Sequence, residues 1–498
     1  MTNFAHELAA AVADEPGRPA LKLDDLVLTY AFLDAGVQRA AGLLRAQGVG
    51  PGDRVGLQMP NVPYFPVLYF GVLRLGAVVV PMNPLLKAGE IDYFFTDSGA
   101  KIAFVWPDFV PEATKGAANS GTRIIECGPM GPAEGSLDGG SPITDPHERA
   151  DDDTAIILYT SGTTGRPKGA ELTHRNIHLN ATRSATTIQE VTSDDVVMGC
   201  LPLFHVFGLV VGLNAATIAG ASLALIPRFD PAAAIEVIEK ERVTIMQGVP
   251  TMYAAILNHP QSDGMDASSL RVCASGGSAM PLEVMRSFED KFGCIILEGY
   301  GLSETSPVAS FNMPDRERKP GTIGVAIPGC EMRCVDLDGN EVPHGEVGEI
   351  AIRGDNVMKG YWGKPEATAE AIPDGWFRTG DLATMDDEGY FTIVDRKKDM
   401  ILRGGMNVYP REVEECIYTH PDVLEVAVVG IPDEHYGEQV GAAVALREGS
   451  TATPQDIIDF AKERIAAYKY PRTVWVVSEL PKGPTGKILR REVHAPAE

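Results

Sequence analysis

The sequence predicts an α/β protein with a large N-terminal domain and a small, mobile α+β domain at its C-terminal end. Three observations support this prediction. Strand-like and helix-like apolar runs alternate up to about residue 320, short strands with glycine and acidic turns follow, and a compact mixed pattern fills the remainder. At 498 residues, the chain also exceeds the size at which one hydrophobic core keeps growing.

The first part of the chain predicts stacked α/β subdomains. The runs VGLQMP, FPVLYFGVLRLG and AVVVPMN follow one another in the order strand, helix, strand, which is typical of a parallel sheet covered by helices. TAIILYT, SLALIP and VTIMQGVP are continuous apolar runs, as expected for strands buried on both faces. THRNIHLNATRSA predicts a helix capped by Thr173.

The later part of the chain predicts two smaller units. The segments CVDLDGNEV, GEIAIRG and DEGYFTIVDRKKD indicate antiparallel strands in a distorted barrel that closes the large domain. Beyond them, Pro410 begins one helix, and Thr453 with Asp456 forms the capping box of a second helix, TPQDIIDFAKERIAAYK. We therefore expect an N-terminal domain of residues 1–396 and a C-terminal domain of residues 397–498.

Charge and composition exclude several classes of partner. Lys and Arg total 43 against 68 Asp and Glu, and this net charge of −25 argues against nucleic acid or an anionic membrane. Seven scattered cysteines have no histidine to complete a zinc set, which indicates reduced thiols. The N-terminus lacks a signal pattern, and Pro202, His205 and Asn214 interrupt the longest apolar tract. We expect a cytoplasmic protein with no integral membrane segment, either a monomer or a homodimer.

The stretch TSGTTGRPKG, from Thr160 to Gly169, is the candidate phosphate site. It follows a predicted buried strand and precedes the predicted THRN helix, which is the layout of phosphate sites in open α/β sheets. Walker A loops end in GKS or GKT, whereas here Gly165 is followed by Arg166, Pro167 and Lys168, so the chain is not a P-loop NTPase. Alone, the stretch is either a phosphate-binding loop or a glycine-rich turn.

Four further motifs follow this loop in a fixed order: YGLSE (300–304), WFRTGD (376–381), DRKKDMILRGGMNVYPREVE (395–414) and PTGK (484–487). With the loop, they resemble the adenylate-forming superfamily of acyl- and aryl-CoA ligases, firefly luciferase and peptide-synthetase adenylation domains. The resemblance extends from about residue 20 to 493. It implies an AMP-forming acid–thiol ligase that uses ATP, Mg²⁺ and CoA.

The resemblance also implies the reaction and the roles of individual residues. A carboxylate attacks the α-phosphate of ATP to give acyl-AMP and pyrophosphate, and a thiol then attacks the acyl carbon and releases AMP. Lys487 would bridge the carboxylate and the α-phosphate, and Lys398 would be the hinge between the domains. Glu304 and Thr164 would hold Mg²⁺.

The remaining implied roles concern the nucleotide and CoA. Tyr300 would stack on adenine, Asp381 would accept from the ribose hydroxyls, and Arg396 would contact the nucleotide. The Gly404–Gly405 pair would leave space for the pantetheine arm, although a buried turn is an alternative explanation. The other residues expected to contact the nucleotide are Thr160, Ser161, Gly162, Thr163, Thr164, Gly165, Lys168, Gly276, Gly277, Ser278, Glu298, Gly299, Gly301 and Ser303.

The acid pocket is expected to include His205, Val206, Gly208, Gln247, Gly299 and Gly301. His205 is either a core residue or a residue that lines or gates the pocket. Malonyl-CoA synthetases carry an arginine just before the YG pair, where this chain has Gly299, so a dicarboxylate would leave a buried charge unpaired. The glycines suggest an apolar slot open enough for a medium- or long-chain fatty acid.

Several alternatives to a fatty-acid ligase stay open. The first is a ligase for a flat aromatic acid of the cinnamate or benzoate kind. A malonyl-CoA synthetase, a carrier-protein-loading acyl-AMP ligase and an inactive nucleotide-binding scaffold are further candidates. The scaffold fits poorly because Lys168, Glu304, Asp381 and Lys487 are all retained.

Overall fold

The computed structural model describes residues 3–132, 137, 139–160 and 166–496. The strands of the large N-terminal part come first in chain order. They are β1 (Pro19–Leu23), β2 (Leu26–Thr29), β3 (Arg54–Gln58), β4 (Val78–Pro81), β5 (Ile102–Val105), β6 (Arg123–Gly128), β7 (Gly131–Pro132), β8 (Thr154–Thr160), β9 (Lys168–Thr173), β10 (Val196–Gly199), β11 (Ser222–Leu225), β12 (Ile245–Gly248), β13 (Val272–Ser275), β14 (Ile296–Gly301), β15 (Val308–Phe311) and β16 (Val325–Ala326).

The later strands belong to the antiparallel unit and to the C-terminal region. They are β17 (Cys330–Val335), β18 (Gly348–Gly354), β19 (Gly360–Tyr361), β20 (Phe377–Met385), β21 (Phe391–Arg396), β22 (Ile401–Arg403), β23 (Met406–Val408), β24 (Val423–Asp433), β25 (Gly437–Leu446) and β26 (Thr473–Val477).

The α-helices lie mainly between consecutive strands. They are α1 (Ala5–Asp14), α2 (Tyr30–Ala46), α3 (Tyr64–Arg74), α4 (Ala88–Ser98), α5 (Val110–Gly116), α6 (His174–Arg183), α7 (Ala215–Ala219), α8 (Pro231–Glu241), α9 (Pro250–Leu257), α10 (Leu282–Phe292), α11 (Pro365–Ala371), α12 (Pro410–Tyr418) and α13 (Pro454–Lys462). The segments Ser184–Ile188 and Phe207–Asn214 are wound as π-helix.

Two large mixed sheets form the N-terminal part. One has the order β16-β15-β14-β13-β12-β10-β11-β1-β2, and the other has the order β19-β9-β8-β4-β3-β5-β6-β7. Each has a parallel centre and antiparallel edges. A single core cluster joins side chains of both sheets to those of α1, α2 and α3, for example Leu33, Phe70, Ile156 and Leu223. The predicted α/β class, with parallel strands alternating with helices, is therefore confirmed.

The C-terminal third contains the predicted antiparallel unit and a compact α+β unit. Strands β17-β18-β20-β21 pair antiparallel, and β23-β22-β25-β24 with β26 form the last sheet. Helices α12 and α13 pack on this last sheet through Val413, Ile417, Ile457 and Ala461. The barrel-like closure of the antiparallel unit stays a prediction.

The predicted N-terminal caps of two helices are confirmed. Thr173 accepts a hydrogen bond from the Asn176 amide and caps α6, and Thr453 caps α13 in the same way. Helix α13 ends at Lys462, earlier than the sequence pattern suggested. Arg464 donates to the carbonyl of Phe460 and stacks on its ring, which satisfies a carbonyl that another helical turn would have used.

The predicted connection after the phosphate loop is wrong in one respect. Strand β8 is followed by β9, which pairs antiparallel with it and places Lys168 opposite Thr160. Helix α6 begins only after β9, so the first element after Pro167 is a strand and not a helix. KGAELT was missed because its glycine and glutamate weaken an otherwise strand-like alternation.

The structure also bears on the predictions made from the cysteines and from the apolar segments. The seven cysteine thiols are free, and the Sγ atoms of Cys273 and Cys294 lie 3.7 Å apart. Within the described residues, no helix combines the length and the apolar character needed to cross a membrane.

Candidate active site

The site lies where the two large sheets approach each other at the carboxyl ends of β8 and β14. Strand β14 carries Glu298 and Tyr300, and the short turn Ser303–Thr305 that follows it carries Glu304. Thr160, the last residue of β8, donates a 3.0 Å hydrogen bond to Glu304. In open α/β sheets, ligands bind outside the carboxyl ends of parallel strands, so the fold itself points to this edge.

Tyr300, Asp381 and Arg396 form one cluster. The Tyr300 hydroxyl donates to Oδ2 of Asp381 at 2.5 Å, and Nε of Arg396 lies 3.2 Å from Oδ1. Strands β20 and β21 place Asp381 and Arg396 directly opposite each other. Gly380, at φ +73°, lies within strand β20 directly before the buried aspartate, so the predicted turn at this position is wrong. The structure therefore brings together three residues predicted to contact a nucleoside.

Glu298 is a buried carboxyl group with one unsatisfied oxygen. Its Oε1 accepts from the Met280 amide at 2.9 Å, at the end of the loop that contains Gly276, Gly277 and Ser278, whereas Oε2 has no hydrogen-bond partner in the part of the chain that the structure describes. Burial raises the pKa of Glu298 to about 7. A buried orphan acceptor is costly unless a ligand donates to it. An exocyclic amino group of a purine is such a donor, so the site fits a nucleotide.

Glu304 could hold a hard cation. It is nearly buried, and Oε1 accepts from the hydroxyls of Thr160 at 3.0 Å and Tyr361 at 3.1 Å. Oε2 accepts no hydrogen bond from any residue in the described ranges, which leaves one carboxylate oxygen for Mg²⁺. The adjoining loop residues predicted to contact phosphate or metal, Ser161, Gly162, Thr163, Thr164 and Gly165, lie outside the described residues.

Lys168 is held on strand β9, not in a loop. Its ammonium nitrogen lies 5.0 Å from the centre of the Tyr361 ring. The hydroxyl of the same tyrosine contacts Glu304. Tyr361 was not predicted as a site residue from the sequence. The only signal was the aromatic pair in KGYW, shortly before the helix-like run PEATAEA.

Lys487 enters the site from the C-terminal region. The preceding Gly486, at φ +81°, accepts a 2.8 Å hydrogen bond from Thr251 of α9. Burial, and next the charge of Arg396, lower the pKa of Lys487 to about 8, while Asp381 acts in the opposite direction. Lys487 thus lies within electrostatic range of the nucleoside cluster.

His205 lies within electrostatic range of Lys487. Burial and the Lys487 charge lower the pKa of His205 to about 4, so the ring is neutral at pH 7. Nδ1 accepts from the Phe207 amide at 3.3 Å, which assigns the ring proton to Nε2. His205 can therefore donate one hydrogen bond but cannot supply a positive charge.

The remaining predicted pocket residues are tightly packed. Both hydrogen bonds of the Gln247 amide nitrogen are made within the protein, to Val211 O at 2.8 Å and to Gln189 Oε1 at 2.7 Å. A Cβ on Gly208 would lie 2.5 Å from the carbonyl oxygen of Pro202, and one on Gly301 would collide with the carbonyl of Pro307. Val206 is buried.

The expected open slot at Gly299 is wrong. Gly299 pairs with Phe311 across strands β14 and β15, and a Cβ at Gly299 would collide with the Phe311 ring. The missing side chain is therefore replaced by an aromatic ring of the neighbouring strand, and not by empty space. The position still carries no positive charge.

Gly404 and Gly405 lie in the exposed turn between β22 and β23. They have φ values of +58° and +81°, and no atom lies within 4 Å of a Cβ placed on Gly405. The alternative of a buried turn is therefore wrong, and the pantetheine role stays a prediction. Lys398 lies in the turn between β21 and β22, next to Asp395, which accepts from the Arg411 amide at 2.9 Å and from Arg490 at 3.0 Å.

The fold and the grouped side chains are those expected of an enzyme that binds a nucleotide. The chain belongs to the AMP-binding enzyme family, whose model matches residues 8–362, and the model of the AMP-binding enzyme C-terminal domain matches residues 412–487. Its place in the adenylate-forming superfamily, among the acyl-CoA synthetases, is confirmed by its relatives.

Three comparisons illustrate this placement. The chain is 36% identical to a long-chain-fatty-acid–CoA ligase of Bacillus subtilis, covering 98% of this chain and 93% of the relative. It is 40% identical to a feruloyl-CoA synthase of Amycolatopsis, covering 96% of each. The crystal structure of ATP-bound MatB from Rhodopseudomonas palustris is 36% identical, with a TM-score of 0.91 over 99% of this chain and 98% of that one.

Proposed function

We propose that this AMP-forming acyl-CoA ligase activates a medium- or long-chain fatty acid with ATP and transfers it to CoA. The ligase class follows from the family and its curated members. The identity of the acid is our proposal. A cytoplasmic location is part of it, and the free thiols favour a reducing compartment.

One observation carries the mechanistic assignment. Lys487, near the end of the chain, lies within electrostatic range of Arg396 and Asp381. Lys168 and Glu304 both contact Tyr361, in the sheet that contains β8 and β9. Positive groups for phosphate and carboxylate thus surround a site in a chain whose net charge is −25. This concentration of cations suits an anionic substrate that the protein as a whole would repel.

In the first half-reaction, the task of the protein is positioning and charge neutralisation. A substrate carboxylate is already ionised at pH 7, so its attack on the α-phosphate needs no general base. Lys487 would hold the carboxylate against the phosphate, and Lys168 would neutralise the departing pyrophosphate. Mg²⁺ bound at Glu304 would supply further charge neutralisation at the phosphates.

In the second half-reaction, we propose that residues 397–498 rotate about Lys398 against residues 1–396. Rotation would withdraw Lys487 and bring the Gly404–Gly405 turn to the site. The CoA thiol would attack the acyl carbon, and the bond to AMP would break. The exposure of the Gly404–Gly405 turn supports this rotation, because the turn could move without breaking contacts with the N-terminal part.

The nature of the acid rests on the chemistry of the pocket. The π-helix Phe207–Asn214 is mostly apolar and buried, and His205 is neutral, so the predicted pocket residues offer no cation for a second carboxylate. This favours a monocarboxylate with an apolar body. An aromatic acid is the second candidate, because a feruloyl-CoA synthase is 40% identical to this chain.

An acid-dependent ATP–pyrophosphate exchange panel tests the proposal. The panel compares acetate, octanoate, palmitate, malonate, benzoate and coumarate at equal concentration. We expect octanoate or palmitate to support the fastest exchange. Fastest exchange with coumarate would select the second candidate, and fastest exchange with malonate would contradict the argument from the uncharged pocket.

A further inference from the structure

Tyr361 contacts two residues of the site that come from different parts of the fold. Its hydroxyl donates to Oε1 of Glu304 at 3.1 Å, and Nζ of Lys168 lies 5.0 Å from the centre of its ring. One side chain therefore contacts both the carboxylate suited to a metal ion and the lysine suited to phosphate.

The backbone around Tyr361 makes the same connection. Strand β19 pairs with β9, so that Tyr361 lies opposite Ala170, two residues from Lys168. The Trp362 amide donates to Gly169 O at 2.7 Å, and the Met358 amide donates to Glu304 O at 2.8 Å. The segment 358–362 thus ties the lysine-bearing strand to the turn that carries Glu304.

The hydroxyl has one chemical role available in this geometry. A carboxylate oxygen can only accept, so the phenol is the donor in this hydrogen bond. With Thr160 donating to the same oxygen, the Glu304 carboxylate is fixed in rotation. The lysine ammonium over the ring is held by a cation–π contact.

We propose that Tyr361 is a positioning residue that couples the phosphate-binding Lys168 to the metal-binding Glu304. Its hydroxyl orients the carboxylate, and its ring orients the ammonium, so that both face the same phosphates. This inference rests on the proposed function, because it assigns Mg²⁺ and ATP to the site.

Two substitutions separate the two contacts. Tyr361→Phe keeps the ring under Lys168 and removes the hydroxyl from Glu304, whereas Tyr361→Leu removes both. Tyr390→Phe is the matched control, because Tyr390 also donates its hydroxyl, to Glu317 O at 2.6 Å, and also lies under a lysine, Lys319, at 4.4 Å. The full-length proteins are first compared by thermal melting to confirm that each variant folds.

The measurement is ATP affinity by isothermal titration calorimetry, once in excess EDTA and once in excess Mg²⁺. We expect Tyr361→Phe to bind ATP normally in EDTA. Its gain in ATP affinity on addition of Mg²⁺ should be on the order of tenfold smaller than that of the wild type, as for the loss of a hydrogen bond to a charged group. We expect Tyr361→Leu to be weaker in EDTA as well, and Tyr390→Phe to match the wild type under both conditions.

The outcomes distinguish the inference from the function on which it rests. An unchanged Mg²⁺ gain in Tyr361→Phe overturns the positioning role, as does an equal loss with and without Mg²⁺, which would indicate a structural role only. Failure of the wild-type protein to bind ATP, or to show acid-dependent pyrophosphate exchange, would instead refute the proposed function.

Discussion

The side-chain hydroxyl of Thr251 donates a 2.8 Å hydrogen bond to the backbone carbonyl of Gly486, the residue immediately before Lys487. Thr251 lies in α9, and Gly486 lies 235 residues later in the C-terminal loop. A Cβ on Gly486 would lie 3.1 Å from the same hydroxyl, so the loop is seated closely on the helix. This contact holds Lys487 at the nucleoside cluster.

Replacing Thr251 by valine is expected to slow the first half-reaction selectively. Loss of one hydrogen bond of this kind corresponds to about 0.5–1.5 kcal/mol, or roughly a 2- to 13-fold lower rate of acyl-AMP formation. CoA transfer from preformed acyl-AMP should be unchanged. Stopped-flow or quench measurements of the two half-reactions provide the check.

Thr217→Val is the control for this substitution. Thr217 of α7 donates to Leu213 O at 2.9 Å, in the π-helix that runs directly into α7, and this hydrogen bond does not involve the C-terminal loop. It should leave the ratio of the two half-reaction rates unchanged. Equal slowing of both half-reactions by Thr251→Val would argue against a role in seating Lys487.

Removing the Lys487 side chain should have a much larger effect with the same selectivity. Lys487→Ala is expected to lower acyl-AMP formation by at least about 100-fold, because it removes a charge positioned for the transition state. Much of the rate from preformed acyl-AMP to acyl-CoA should remain. Equal loss of both half-reactions would refute the assignment of Lys487 to adenylation and the rotation that follows from it.

The lowered pKa of Lys487 predicts an alkaline limit for adenylation. The free protein holds this lysine protonated only below about pH 8, because burial and Arg396 disfavour its charge. Since kcat/KM reports the free enzyme, kcat/KM for ATP should fall up to about tenfold per pH unit above pH 8. Bound phosphate favours the charged lysine, so kcat should fall only at higher pH.

Lys487→Arg provides the control for this pH profile. A guanidinium stays charged throughout this range, so whatever activity the variant retains should lack the alkaline limb near pH 8. Identical alkaline limbs in the wild type and the variant would show that another group titrates.

The sequence predicts much of the fold because the relevant signals are local. The caps at Thr173 and Thr453 and the buried run TAIILYT each act within a few residues. The site motifs were found for the same reason, since Tyr300 and Asp381 each lie in a short distinctive stretch. That these two side chains are in contact depends on pairing across 81 residues.

The contacts that the sequence did not predict join residues that are far apart in the chain. Tyr361 and Glu304 are 57 residues apart, and they are brought together by the pairing of β19 with β9 and by the backbone hydrogen bond from Met358 to Glu304. The space beside Gly299 is filled by Phe311 through cross-strand register, which no pattern within either strand reports. Contacts set by tertiary pairing therefore accounted for what local patterns could not predict.

A buried histidine away from the site predicts how stability depends on pH. His174, the first residue of α6, is 3% exposed, and its Nδ1 accepts from the Phe4 amide at 3.1 Å. Burial, and next Arg149, lower the pKa of His174 to about 4. A proton on Nδ1 would face the amide hydrogen of Phe4, so the folded state resists protonation.

The unfolded state, with a pKa near 6.5, takes up this proton as the pH falls, while the folded state does not. Well above pH 6.5, His174 therefore leaves the free energy of unfolding unchanged. Between pH 6.5 and 4 it lowers this free energy progressively, by about 2 to 3 kcal/mol at pH 4.5. His174→Asn keeps an acceptor for Phe4 and does not titrate, so its free energy of unfolding should fall less between pH 7 and 4.5 than that of the wild type. Urea unfolding of both proteins at the two pH values measures this difference, and parallel pH dependence would show that His174 is not the group responsible.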